Sequence, residues 1–219
     1  GSEMCIRDRF IADTETLTSE CGSNGYAAQT WSDAPDGRIV QVSWMNKGLY
    51  PEMPFNHQMS IPVELSLIGS GNNARLTRWP VKEFESLRKK TSTLNAQQIL
   101  GWKNPLVIGI QSDLMELSLA AVRRDSGRLH MAIRGQAVII DWDKSELGFQ
   151  GHTVALPNSQ IIEILMLIDK ASLEVFINKG VVSASFPFLP GAYLNRLELY
   201  SDGEQQVERI SVHELNSIW

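Results

Sequence analysis

Carboxylates are the first residues to weigh, because they can attack a carbon or move a proton near neutral pH. Asp169 and Glu174 flank a turn in IDKASLEVF. Retaining cleavage of a glycosidic bond needs two carboxyl groups about 5 to 5.5 Å apart. The residues around these two are apolar strand formers, so the sequence reads Asp169 as a turn residue and Glu174 as an outward-facing strand residue. Arg7-Asp8, in the opening GSEMCIRDRF, is a charged pair of the kind found in some hydrolase sites. Back-translation gives it another origin. GGC TCG GAG ATG TGT ATA AGA GAC AG encodes residues 1 to 8 and starts codon 9, and that DNA is similar to a transposon end used in sequencing libraries. Residues 1–9 are therefore expected to be a library scar and are set aside, with the authentic chain beginning near Phe10.

Other chemistries find less support. His57, His130, His152 and His213 lie far apart with no H-E-x-x-H spacing and no cysteine pair, so no metal and no cofactor are expected. Gly69-Ser70-Gly71 lies between two strand patterns and opens no helix, which makes it a turn and not a phosphate loop. No G-x-S-x-G elbow occurs. Sugars stack on aromatic faces, and the chain has Trp31, Trp44, Trp79, Trp102, Trp142 and Trp219. Most are expected in a core. Trp142, between Asp141 and Asp143, has the best case for facing solvent.

Composition narrows the class. The 219 residues carry a net charge of -5, and Lys and Arg are scattered, without the basic stripe that a phosphate backbone requires. Nucleic acid is not an expected partner. No apolar run reaches the roughly 18 residues needed to span a bilayer, so no membrane is expected either. With Cys5 inside the suspected scar, Cys21 stands alone and no internal disulfide framework is expected.

The positioning elements are strands. YAAQTWSD and RIVQVSWM flank Ala34-Pro35-Asp36-Gly37 and read as a hairpin. In QMSIPVELSLI the apolar residues Met59, Ile61, Val63, Leu65 and Leu67 alternate with Ser60, Pro62, Glu64 and Ser66, which places them on one face, with Pro62 marking an edge. ARLTRW completes four antiparallel strands, resembling one propeller blade over residues 10–79. Pro80, Val81, Phe84 and Leu87 in PVKEFESLRKK give a linker helix, with a polar connection over 91–98, so that 80–98 forms a link. From 99 to 219 follow PLVIGIQ, MELSLAAV, RLHMAIR, AVIIDW, TVALP, IIEILMLID, SLEVFIN, VVSASFPF, YLNRLELY and ERISVHEL, the spacing of a two-sheet sandwich.

Several of these stretches together resemble the C-terminal part of the β-fructofuranosidase family of glycoside hydrolases, the invertases, levanases and inulinases. GYAAQTWSDAPDGRIVQVSWM resembles the family's Tyr-Ala-Ala-Gln strand, turn and Gly-Trp-Met strand, with Ser43 where glycine is usual. YPEMPFNHQMSIPVELSL is similar to a Pro-x-Met-Pro-Phe-Asn-Gln-Gln-Met run, with His57 in place of the first Gln. IEILMLIDKASLEVFINKG resembles the strand pair around Asp-Arg-Ser-Ser-x-Glu-Val-Phe, with Lys170 and Ala171 substituted. VHELNSIW is similar to the closing strand. The resemblance runs from Phe10 to Trp219.

It implies an all-β fold: the last blade of a five-bladed β-propeller, followed by a C-terminal β-sandwich. It also implies a retaining double displacement, in which an Asp attacks the anomeric carbon of a fructosyl unit and a Glu protonates the leaving oxygen. The family carries these groups in Trp-Met-Asn-Asp-Pro-Asn-Gly and Glu-Cys motifs, with an Arg-Asp-Pro aspartate on the sugar hydroxyls. Three stretches here imitate them. Trp44-Met45-Asn46 continues into Lys47-Gly48, Arg7-Asp8 is followed by Arg9, and Glu20-Cys21 stands too near Tyr26. They also run in the wrong order. No catalytic residue is therefore expected in this chain, which is expected to be inactive alone and to belong to a parent acting on fructose-containing oligo- or polysaccharides. Tyr26, Gln29 and Trp44 are the candidate substrate contacts. The resemblance favours a secreted or periplasmic location. The alternative is a non-enzymatic carbohydrate-binding or interaction sandwich with an exposed aromatic platform.

Overall fold

Alternation of apolar and polar residues produces strands almost throughout. The structure, a computed structural model, describes residues 18, 20–48, 50, 54–189 and 196–218. Arg7-Asp8 and the suspected scar at 1–9 lie outside the described residues.

The first sheet, here the blade sheet, holds β1 (Gly25–Thr30), β2 (Ile39–Met45), β3 (Gln58–Met59), β4 (Val63–Ile68) and β5 (Arg75–Pro80). Its order is β1-β2-β4-β5, with the short β3 paired to β2. The β1–β2 hairpin turns through Pro35–Gly37, where Asp36 takes φ 64°, a left-handed conformation that aspartate tolerates. One expectation fails in β4. Pro62 has no N–H to give a ladder, so it breaks the QMSIPVELSLI run into β3 and β4 and does not mark an edge. Val63 is buried, whereas Met59 and Leu67 are 54% and 75% exposed, so the apolar residues of that run do not share one covered face.

The region 80–98 also departs from the linker reading. Lys82–Leu87 is a short 3-10 helix, and β6 (Arg88–Ile99) is a twelve-residue strand. Val81, Phe84 and Leu87 recur every three residues, which is the period of a 3-10 helix and not of an α-helix. In β6 most side chains stay outside the core, so no alternation betrays the strand. Its partners across the sheet supply the order instead, with Thr91 bonded to His213 and Thr93 to Ser211.

The remaining strands are β7 (Leu106–Gly109), β8 (Met115–Val122), β9 (Arg128–Ile133), β10 (Gln136–Asp141), β11 (Glu146–Phe149), β12 (His152–Ala155), β13 (Ile161–Ile168), β14 (Ser172–Ile177), β15 (Val182–Pro187), β16 (Arg196–Asp202) and β17 (Gln205–Leu215). They form two six-stranded antiparallel sheets, β12-β11-β10-β9-β16-β7 and β15-β14-β13-β8-β17-β6. Between them lies one apolar core that includes Leu117, Met131, Ile140, Met166, Phe186 and Leu199.

Every residue of β14 is buried, in spite of a plain alternation. Leu173, Val175 and Ile177 enter the core between the sheets. Ser172, Glu174 and Phe176 point the other way and are also covered, because the blade sheet lies over that face. Val63 packs there with Leu165, Leu167 and Phe176, and Phe84 of the 3-10 helix packs against them.

The edge of the blade sheet is seated on the β14–β15 turn. Arg78 donates its backbone N–H to the Gly180 carbonyl at 3.0 Å. Gly180 has φ +82°, and a Cβ there would collide with the Arg78 backbone. Gly151 has nearly the same φ, +81°, but open space around it. Gly180→Ala is therefore expected to lower stability well beyond the roughly 1 kcal/mol that left-handed alanine costs, and Gly151→Ala by about that 1 kcal/mol alone. Urea unfolding midpoints of the two variants check this.

Candidate functional site

The sequence candidates fall on the first strands of the blade sheet. Tyr26 in β1 is the cross-strand partner of Trp44 in β2, so both side chains stand on one face. Their ring centroids are 6.3 Å apart. The register then slips between Tyr26 and Gln29, with Ala27 at φ 46°, and Gln29 pairs with Val42. This bulge twists the edge strand and leaves Gln29 exposed. Tyr26 is 62% exposed and Trp44 half-buried. Two rings and an amide on one open face can stack on a sugar ring and bond its hydroxyls.

A fourth member was missed as a site residue. The His57 imidazole meets the Trp44 indole edge to face, with centroids 5.0 Å apart and planes at 81°. The only sequence signal was that His57 replaces a Gln within a resembling run.

Beneath this face the blade sheet meets the sandwich through buried polar groups. Arg78, 3% exposed, donates through Nη1 to Glu20 Oε2 at 2.7 Å and to Ser183 Oγ at 3.1 Å, and through Nη2 to Ser43 Oγ at 3.3 Å. Glu20 Oε1 accepts the backbone N–H groups of Gly22 and Ser185 at 2.8 and 2.7 Å, and Ser185 Oγ donates to Oε2 at 3.3 Å. Four donors occupy this carboxylate. Glu20-Cys21 is thus a structural clamp in geometry, with its acceptor positions turned to the fold.

Glu174 faces away from the sandwich core, as an outward strand residue should, but it does not reach solvent. It is 3% exposed and accepts the Ile61 N–H at 2.8 Å. Ile61 precedes Pro62 in the gap between β3 and β4, and the Glu174 carboxyl takes the place of a strand partner for its N–H. Burial pushes this carboxyl up from the ordinary 4.5 to about 8, against a smaller opposing effect of the Ile61 hydrogen bond. Asp169, in contrast, is exposed in the β13–β14 turn, where its side chain accepts the Lys170 N–H. One carboxyl is in a turn and the other beneath a sheet, so the two are not arranged as an acid/base pair.

The case for Trp142 as a solvent-facing platform also fails. It is 3% exposed, its Nε1 donates to Gln205 Oε1 at 2.6 Å, and the Arg123 guanidinium lies 5.7 Å from its ring centroid. The flanking aspartates face out while the indole turns in, since a strand end leaves alternate residues on opposite faces. Among the described residues no cluster of three His, Cys, Asp or Glu side chains could hold a metal ion, and no helix is long and apolar enough to cross a membrane.

Comparison with known proteins agrees with this architecture. A levanase of Bacillus sp. (strain L7) is 27% identical over 99% of this chain and 27% of its own length. The levanase of Bacillus subtilis (strain 168) is 25% identical over 94% of this chain and 35% of its own. A sucrose-6-phosphate hydrolase of Escherichia coli is 27% identical over 88% and 43%. The chain thus spans between about a quarter and less than half of the length of these relatives. Among solved structures, the exo-inulinase of Aspergillus awamori superposes with a TM-score of 0.77 at 17% identity, over 96% of this chain and 46% of that one. The β-fructofuranosidase of Schwanniomyces occidentalis complexed with fructosyl-erythritol does so with 0.78 at 15%, over 95% and 51%. The fold these neighbours share is a β-propeller with a β-sandwich. Residues 4–80 match the glycosyl hydrolases family 32 N-terminal domain, and residues 83–214 match glycosyl hydrolases family 32 C terminal. With the match extending across both the blade sheet and the sandwich, the chain belongs to glycosyl hydrolase family 32.

Proposed function

We propose that this chain forms the last blade and the C-terminal sandwich of a longer retaining hydrolase that releases fructose from sucrose or fructans. The observation that carries the reading is the family match across both parts, joined to an open face holding Tyr26, Gln29 and Trp44. The names of the relatives, levanases and a sucrose-6-phosphate hydrolase, support fructose-containing substrates.

In this reading Tyr26 and Trp44 stack on a sugar ring, Gln29 bonds its hydroxyls, and His57 holds the indole. The nucleophile and the acid/base come from other parts of the enzyme. Glu20 is held by four donors, Asp169 lies in an exposed turn and Glu174 lies beneath the blade sheet. Enzymes lower their barriers by at least about 8 kcal/mol. A binding face without nucleophile and acid supplies little of that.

The alternative, a free-standing sugar-binding sandwich, needs an exposed aromatic platform. Trp142 is buried, and Trp102, although 70% exposed, carries the Lys103 ammonium 5.5 Å from its ring centroid. That cation competes for the ring face a sugar would use.

Residues 1–219 alone are expected to release no fructose from sucrose, inulin or levan; release above a heat-killed control contradicts the reading. In a longer protein that includes this chain, Trp44→Ala should remove roughly 1 to 2 kcal/mol of contact, raising KM about 5- to 30-fold. Trp44→Phe should have a smaller effect. Steady-state kinetics on sucrose and levan check both, and an unchanged KM for Trp44→Ala removes Trp44 from the substrate contacts.

A further inference from the structure

One of the hydrogen bonds that join the blade region to the sandwich is accepted by a titratable group that the proposed chemistry does not use. Ile61 donates to Glu174, and Ile61 is adjacent to Ser60. Ser60 Oγ accepts the Ser43 N–H at 2.9 Å, and Ser60 N–H donates to the Ser43 carbonyl at 2.8 Å. Ser43 is adjacent to Trp44. A continuous path of short contacts therefore runs from a buried carboxyl in β14 to the indole on the open face.

We propose that Glu174 is a proton-linked positioning residue: neutral, it lies beneath the blade sheet bonded to Ile61, which through Ser60 and Ser43 sets the strand carrying Trp44, and on losing its proton it draws water beneath the sheet and shifts that strand.

The geometry explains why ionisation should move the strand. A charge beneath the blade sheet must be hydrated or paired. The elements packed around Glu174 offer little pairing. Glu20, from the segment before β1, repels it, as does Asp169 from the β13–β14 turn. Arg78 of β5 attracts it, but that guanidinium is already bonded to Glu20 and to two serines. β15 contributes Ser183 and Ser185, which are neutral. The ionised carboxylate keeps the Ile61 bond, but it is 3% exposed and repelled by Glu20 and Asp169, so it gains by admitting water beneath the sheet.

The sign follows from proton counting. Burial raises the Glu174 pKa from 4.5 to about 8, so between these values the folded chain keeps a proton that the unfolded chain has lost. Stability therefore falls as pH rises through that window and levels off above about 8.

The test uses the full chain labelled with 5-fluorotryptophan, in a His57→Gln background so that the imidazole beside Trp44 contributes nothing. The Trp44 fluorine signal is assigned by its loss in Trp44→Phe and followed from pH 6 to 9.5. The expected result is a shift with a midpoint near 8, abolished by Glu174→Gln, which keeps an acceptor for Ile61 but cannot titrate. A static Trp44 signal, or a shift that survives Glu174→Gln, overturns the proposal. Should Glu174→Gln fail to fold, the carbon-13 titration of the Glu174 carboxyl in the unmutated chain decides: a midpoint at or below pH 6 overturns it, and one that coincides with the Trp44 shift supports it. None of these readouts requires catalysis, so the result stands apart from the proposed fructose release.

Discussion

The ion pair between the buried Arg78 and the half-buried Glu20 is the contact around which the blade sheet and the sandwich are joined. A buried pair is weak evidence for stability as such, since desolvation of both ions offsets most of their attraction. Removing Glu20 is another matter, because the surviving Arg78 charge stays buried without its counter-ion, a loss that costs about 3 to 5 kcal/mol where both partners are buried and less where the carboxylate is partly exposed. The pair is placed so that both halves of the molecule must be in register to satisfy it. Glu20 also takes the Ser185 N–H from β15, while Arg78 reaches Ser43 in β2 and Ser183 in β15.

That arrangement explains the small side chains around it. Ser43, Ser60, Ser183 and Ser185 are all buried. Each offers a hydroxyl in little volume, which lets two sheets approach closely while most of their polar groups stay bonded, the buried Arg78 Nε being the exception there. Ser43 stands where the resembling family has glycine, and here its hydroxyl is used by Arg78. Phe176, Leu165, Leu167 and Val63 supply the apolar part of the same junction. Specific polar contacts and apolar burial thus act on one surface, and the open face with Tyr26 and Trp44 lies on the sheet they hold.

The parts legible in the sequence were those governed by local periodicity. The hairpin at Pro35 and the sandwich strands follow from alternation and turn residues, because half-buried strands must alternate. The strand at Arg88–Ile99 was hidden, since a polar edge strand solvated along much of its length has no alternation to read. The site was legible only through resemblance. Nothing in RLTRW distinguishes Arg78, which is buried, from Arg75, which is exposed. The pairing of Arg78 with Glu20 joins residues 58 positions apart, and that of Glu20 with Ser185 spans 165. Glu174 illustrates the same limit: its outward direction was readable, but the sheet that covers it was not.

This polar junction makes the blade sheet and the sandwich a single cooperative unit. Native-state hydrogen exchange across a urea series measures it most directly, by comparing amides of β2 and β4 with those of β8 and β14. Equal opening free energies for the two sets, converging on global unfolding, are the predicted result. A separate opening of the blade amides, several kcal/mol below that of the sandwich amides, would show that the two parts unfold independently.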